Sequence, residues 1–89
     1  MDYQEQAEQL GYIKQDIDLP VSFFESWDWK EVWFNGEHTI TMKYRDGMST
    51  FRCSIIKDGV VYYQGNSNND ICMNRVEDAE AKLLQAMKA

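Results

Sequence analysis

No apolar run in the chain approaches the roughly 20 residues that a bilayer-spanning helix needs. The opening residues Met1 to Glu8 have neither the basic start nor the apolar stretch of a secretion signal. The expectation is a cytoplasmic protein with no membrane contact. Cysteine is scarce as well: Cys53 and Cys72 are spaced like neither a zinc cluster nor a redox pair, which favours two reduced thiols over a disulfide between them. Histidine is scarcer still. His38 stands alone beside a hairpin glycine, and no serine or cysteine at a diagnostic spacing completes a nucleophile arrangement with it. The carboxylate pairs Asp16/Asp18 and Glu77/Asp78/Glu80 read as solvated or helix-start charge rather than as an acid and base. With no nucleotide motif either, the expectation is no enzyme, no cofactor and no metal. Low-complexity tracts and internal repeats are also missing. A composition 44% hydrophobic and 27% charged, with one proline, excludes a wholly disordered chain. Its 89 residues make one domain, 1–89, small enough to need an efficient core or a partner to complete it.

What the chain has is a concentration of aromatic residues. Residues 23 to 34 hold six of the twelve aromatics and all three tryptophans, interleaved with Glu25, Asp28, Glu31 and Lys30. That is too much aromatic area for a solvated loop. It belongs in the core, in a partner, or is divided between them. On a strand, Trp29, Glu31 and Trp33 share one face while Lys30, Val32 and Phe34 share the other. Phe23, Phe24, Trp27 and Phe34 are the expected core members, and Trp29 and Trp33 the candidates for an interface, because tryptophan beside charge is what interface anchors look like.

Charge follows the same half. Residues 1–37 carry nine acids against Lys14 and Lys30, whereas residues 38–89 carry seven bases against six acids, so the whole formal charge of −6 arises in the part that holds the tryptophans. Such a half repels phosphate backbones and attracts basic surfaces.

Tyr3, Ala7 and Leu10 recur at helical spacing between a capping Asp2 and a stopping Gly11, predicting a helix over 2–10. Residues 12–19 read as a connector with apolar anchors, and Asp18 and Pro20 as the opening of a short helical turn to about Ser26. From Trp29 the period becomes two. Asn35-Gly36, Asp46-Gly47 and Asp58-Gly59 separate runs 29–34, 37–44, 49–57 and 60–64, which predicts a four-stranded antiparallel meander. Asn74 and Glu77 resemble a capping box, and Val76, Ala79, Leu83, Leu84 and Met87 form the stripe of a carboxy-terminal helix over 76–87 lying across the apolar face. The fold class is therefore α+β: N-terminal helical elements, the meander, then a C-terminal helix packed on one face.

The order helix, antiparallel strands, helix over residues 38–89 is similar to the double-stranded-RNA-binding domain. That family's resemblance implies lysines at the start of the last helix, where this chain has Asn69 to Asp78 with one arginine among acids, so RNA binding by that route is not supported. A basic strip for DNA is not expected either, because only Lys43, Arg45, Arg52 and Lys57 are candidates to cluster. A compact anionic chain of hairpins and flanking helices instead resembles the small antagonists of phages and mobile elements, including anti-CRISPR proteins that occupy a basic nucleic-acid groove of a target. The resemblance implies an inhibitory protein-binding module. Asp16, Asp18, Glu25, Asp28 and Glu31 would neutralise the basic surface of a partner protein, with Trp29 and Trp33 as apolar anchors and no direct nucleic-acid contact. The alternatives are a homo-oligomer using the same surface, or a carbohydrate or small-ligand module stacking on Trp29 and Trp33.

Overall fold

A computed structural model describes residues 2–16, 27–46, 51–67 and 75–89. Among these residues seven elements follow one another: α1 (Tyr3–Gln9), β1 (Ile13–Lys14), β2 (Trp29–Phe34), β3 (Thr39–Asp46), β4 (Phe51–Lys57), β5 (Val60–Ser67) and α2 (Arg75–Lys88). The strands form one antiparallel sheet in the order β1-β2-β3-β4-β5. No helix among the described residues is long and apolar enough to cross a membrane.

The α+β class and the antiparallel meander agree with the sequence reading, but the sheet has five strands rather than four. The additional strand, β1, pairs Ile13 with Phe34 and Lys14 with Trp33. The Gln15 amide extends the ladder by donating to the Val32 carbonyl at 2.8 Å. Two residues have no period to detect, so the connector gave no strand signal. The predicted helical turn at 18–26, the Asn74 cap and Cys72 lie outside the described residues.

Local chemistry sets the element ends. The Asp2 carboxylate accepts from the Glu5 amide at 2.8 Å, capping α1. Gly11, at φ +91°, takes the left-handed conformation that ends the helix, and the Tyr12 amide then donates back to the Ala7 carbonyl. Leu10, expected on the buried stripe, is exposed because the helix has already stopped. In the β4–β5 hairpin Asp58 and Gly59 both have positive φ, as a two-residue primed turn requires. A register shift between Ile55 and Ile56 then bulges the β4–β5 ladder.

The registers divide the sheet into two faces. Trp33, Ile40, Met42, Phe51, Cys53 and Ile55 face inward and are buried with Ala79, Leu83, Leu84, Ala86 and Met87 of α2 and with Ala7 and Tyr12. This matches the alternation read from runs two and three and the helical stripe. The helix α2 packs against β3 and β4, and α1 packs against α2. Lys57 ties the layers together by donating to the main-chain oxygens of Ala86 and Ala89 at 3.0 and 2.7 Å, where a cation also complements the negative end of the helix. Burial pushes the Cys53 thiol up to about 11, so it is a packing group rather than a nucleophile.

Parity decides the aromatic segment. Because Trp33 points into the core with 1% exposure, its neighbour Phe34 must point out, and it is 40% exposed instead of joining the core as expected. Trp27 is half-buried, and Phe23 and Phe24 lie outside the described residues.

Candidate functional site

The start of β2 meets the first turns of both helices around one buried carboxylate. Glu31 is 1% exposed. It accepts from the Tyr3 hydroxyl at 2.6 Å, the Trp29 indole N–H at 2.7 Å and the Trp33 indole N–H at 3.0 Å. The alternation that puts Trp29, Glu31 and Trp33 on one face supplies two of these donors, and docking of α1 supplies the third. No ion pair to Glu31 occurs among the described residues, and the three donors it accepts from there are neutral. Burial, and next the hydrogen bond to this carboxylate, push the Tyr3 phenol well above its ordinary range.

Trp29 differs from Trp33 in being 41% exposed. Its ring is fixed at one edge by Glu31 and lies stacked near Tyr44, with centroids 6.5 Å apart. The Lys14 ammonium sits 5.6 Å from its centroid. More acids crowd this corner. The Glu80 carboxyl is held above its ordinary value, first by burial and then by repulsion from Glu31, Glu77 and Asp2. Asp28, exposed and next in sequence to Trp29, adds another acid, with its amide bonded to the Tyr44 carbonyl at 2.9 Å.

The expected contact set is thus divided. Asp16, Asp28 and Trp29 are on the surface. Glu31 and Trp33 are corrected to core positions, because the face they share with Trp29 turns under α1 and α2. Asp18 and Glu25 lie outside the described residues. A stacking platform built from Trp29 and Trp33 together does not exist, since Trp33 is buried. Tyr3, Glu77 and Glu80 join the corner through long-range packing that leaves no local signal in the sequence.

Elsewhere the polar groups serve turns. The Asp58 carboxylate accepts from the Thr39 amide at 2.9 Å and lies 2.6 Å from His38 Nδ1, bridging two hairpins. The Thr39 amide first, and His38 second, hold its carboxyl below the ordinary aspartate value. Asn35 accepts from the amides of Glu37 and His38 in the β2–β3 turn. No group of three or more histidine, cysteine or carboxylate side chains able to hold a metal occurs among the described residues. No protein-family model, curated protein or solved structure matches the chain.

Proposed function

We propose that this chain is a small, acidic, non-enzymatic protein-binding module that inserts Trp29 into a basic surface of a partner and so occludes it, in the manner of a phage or mobile-element antagonist. The observation that carries this reading is the state of Trp29. A large aromatic ring is left 41% exposed although its N–H is locked at 2.7 Å to a buried carboxylate. A ring held in this way loses little freedom on binding, which is how rigid aromatic anchors contribute. Donation to an anion also makes the indole face more electron-rich, and Lys14 already occupies the kind of position that a partner arginine or lysine would take. Asp28, Glu77, Glu80 and Asp2 supply the surrounding negative potential that steers a cationic surface to the ring.

The test is comparative affinity capture. Immobilised wild-type chain and its Trp29→Ala variant are exposed to extract of the cells that produce the protein, and bound proteins are quantified by mass spectrometry. The reading expects a protein with a basic surface that is depleted on Trp29→Ala. Identical capture profiles contradict it.

A further inference from the structure

The outward face of the sheet carries a second site, unrelated to the Trp29 corner. The same alternation that buries Met42, Phe51 and Cys53 sends Lys30, Lys43, Arg45 and Arg52 outward, which gathers four of the nine basic residues of the chain on one face. The register puts Lys30 directly opposite Lys43, and Arg45 directly opposite Arg52. Like charges in directly opposed positions destabilise a sheet. Among the described residues none of the four has a carboxylate partner, and the single ion pair is His38 with Asp58. Two of them are instead gathered on an indole, with Lys43 Nζ 5.0 Å and the Arg52 guanidinium 4.9 Å from the Trp27 centroid. Across the same face lie Val32, Thr41 and Ile56, then the exposed Phe34. Among the described elements both helices pack on the other side, and on this face Arg45, Arg52 and Phe34 are exposed while Lys30 and Lys43 are half-buried and Ser54 is buried.

We propose that this face binds single-stranded nucleic acid. Phosphate oxygens would relieve both like-charge pairs at once. The strand positions that carry the cations are spaced about 4.8 Å between strands and about 6.8 Å along them, set by sheet geometry. Phe34, exposed farther along the same face, offers a π face to an unstacked base, and the guanidinium planes of Arg45 and Arg52 do the same, while Trp27 holds Lys43 and Arg52. A duplex hides its base faces, and an acidic peptide has no use for aromatic ones. The acidic helix layer does not veto this binding. The molecule is 22 Å thick in its thinnest direction, and charge is screened over about 8 Å at physiological salt, so a ligand on the sheet feels the cations nearest to it.

Fluorescence anisotropy with a labelled oligothymidylate tests the proposal. Saturable binding is expected, and log affinity should fall against log salt with a slope no steeper than about −3, since each of at most four neutralised phosphates on a single strand contributes about −0.7. Lys43→Glu combined with Arg45→Glu should weaken binding more than about tenfold, because two counterion contacts are lost and two repulsions added. The same double variant should raise the urea midpoint, since each new carboxylate faces Lys30 or Arg52. Loss of binding then cannot be ascribed to unfolding. Phe34→Ser should weaken binding by about fivefold through lost stacking. The proposal is overturned by no binding, by undiminished binding in the double variant, by equal affinity for polyglutamate, which would assign the face to an acidic protein segment, or by tighter binding of a duplex.

Discussion

At Glu31 the chain places a carboxylate where an apolar residue would be ordinary, and holds it with three donors from α1 and β2. Removing the acceptor leaves the buried Trp33 N–H unsatisfied, at a cost of about 1–3 kcal/mol, and the part-buried Tyr3 and Trp29 donors without their partner at a smaller cost. Glu31→Leu should therefore destabilise by roughly 2–4 kcal/mol. Glu31→Gln keeps one oxygen, which can serve Trp29 and Tyr3 or Trp33 but not both indoles, because Trp29 and Tyr3 share one carboxylate oxygen and Trp33 uses the other. One indole N–H then faces the NH2 group, so its cost should be about 1–2 kcal/mol, below that of Glu31→Leu. Urea unfolding of the two variants checks this, and equal losses would show that the negative charge, rather than the acceptor geometry, holds the corner. The alternation of Trp29, Glu31 and Trp33 was legible in the sequence, but not which way it faced. A glutamate between two tryptophans makes an awkward core strip until Tyr3 arrives from α1 to complete its solvation. Two further carboxyls give opposite pH effects. Glu80 is raised from an ordinary value of 4.5, so the folded protein holds that proton more tightly than the unfolded chain and loses stability as pH rises above 4.5. Asp58 is lowered from 3.8, so its contribution is fully present above 3.8 and is lost as pH falls through its lower folded value. In pH-dependent unfolding, Glu80→Gln should flatten the decline on the neutral side, and Asp58→Asn the decline on the acid side.

At the level of elements, the β4–β5 hairpin was legible because its Asp-Gly pair acts locally, and the structure shows Asp58 and Gly59 in the positive-φ turn it implies. Asp46, read as a turn residue, instead belongs to β3 and pairs with Phe51, and Gly47 lies outside the described residues. Helix α2 was legible because its apolar stripe is periodic and its last turns all reach the core. The strand β1 was not, because a two-residue strand is defined only by its pairing with Phe34 and Trp33. Phe34 was misassigned for a related reason: aromatic content says that area must be buried but not which parity of a strand buries it. The core itself makes a direct prediction. Phe51, Ile55 and Leu83 lie where α2 crosses the sheet, and substitution of each by alanine should cost about 2–5 kcal/mol in denaturant unfolding. Unchanged midpoints in all three would contradict the packing of α2 on β3 and β4.

For the whole molecule, charge is arranged by layer more than by position along the chain. Asp2, Asp28, Glu77 and Glu80 gather at the Trp29 corner, while Lys30, Lys43, Arg45 and Arg52 share the outward sheet face. The sequence shows the acidic excess of residues 1–37 but hides this arrangement, because strand register alone brings Lys30 across from Lys43. The two faces are separable by mutation. Lys43→Glu with Arg45→Glu should leave capture of a basic protein partner intact, and Trp29→Ala should leave oligonucleotide binding intact. The most direct test of the central claim, that a pinned Trp29 in an acidic surround engages a basic protein, is surface plasmon resonance against the captured partner at two salt concentrations. Wild-type association should slow as salt rises, and Asp28→Lys with Glu77→Lys should slow association at low salt and remove that dependence. Trp29→Ala should leave the association rate nearly unchanged and raise the dissociation rate by about 30-fold or more, the effect of losing a central aromatic anchor of roughly 2 kcal/mol. Wild-type dissociation kinetics in Trp29→Ala, with folding confirmed by circular dichroism, would contradict the account.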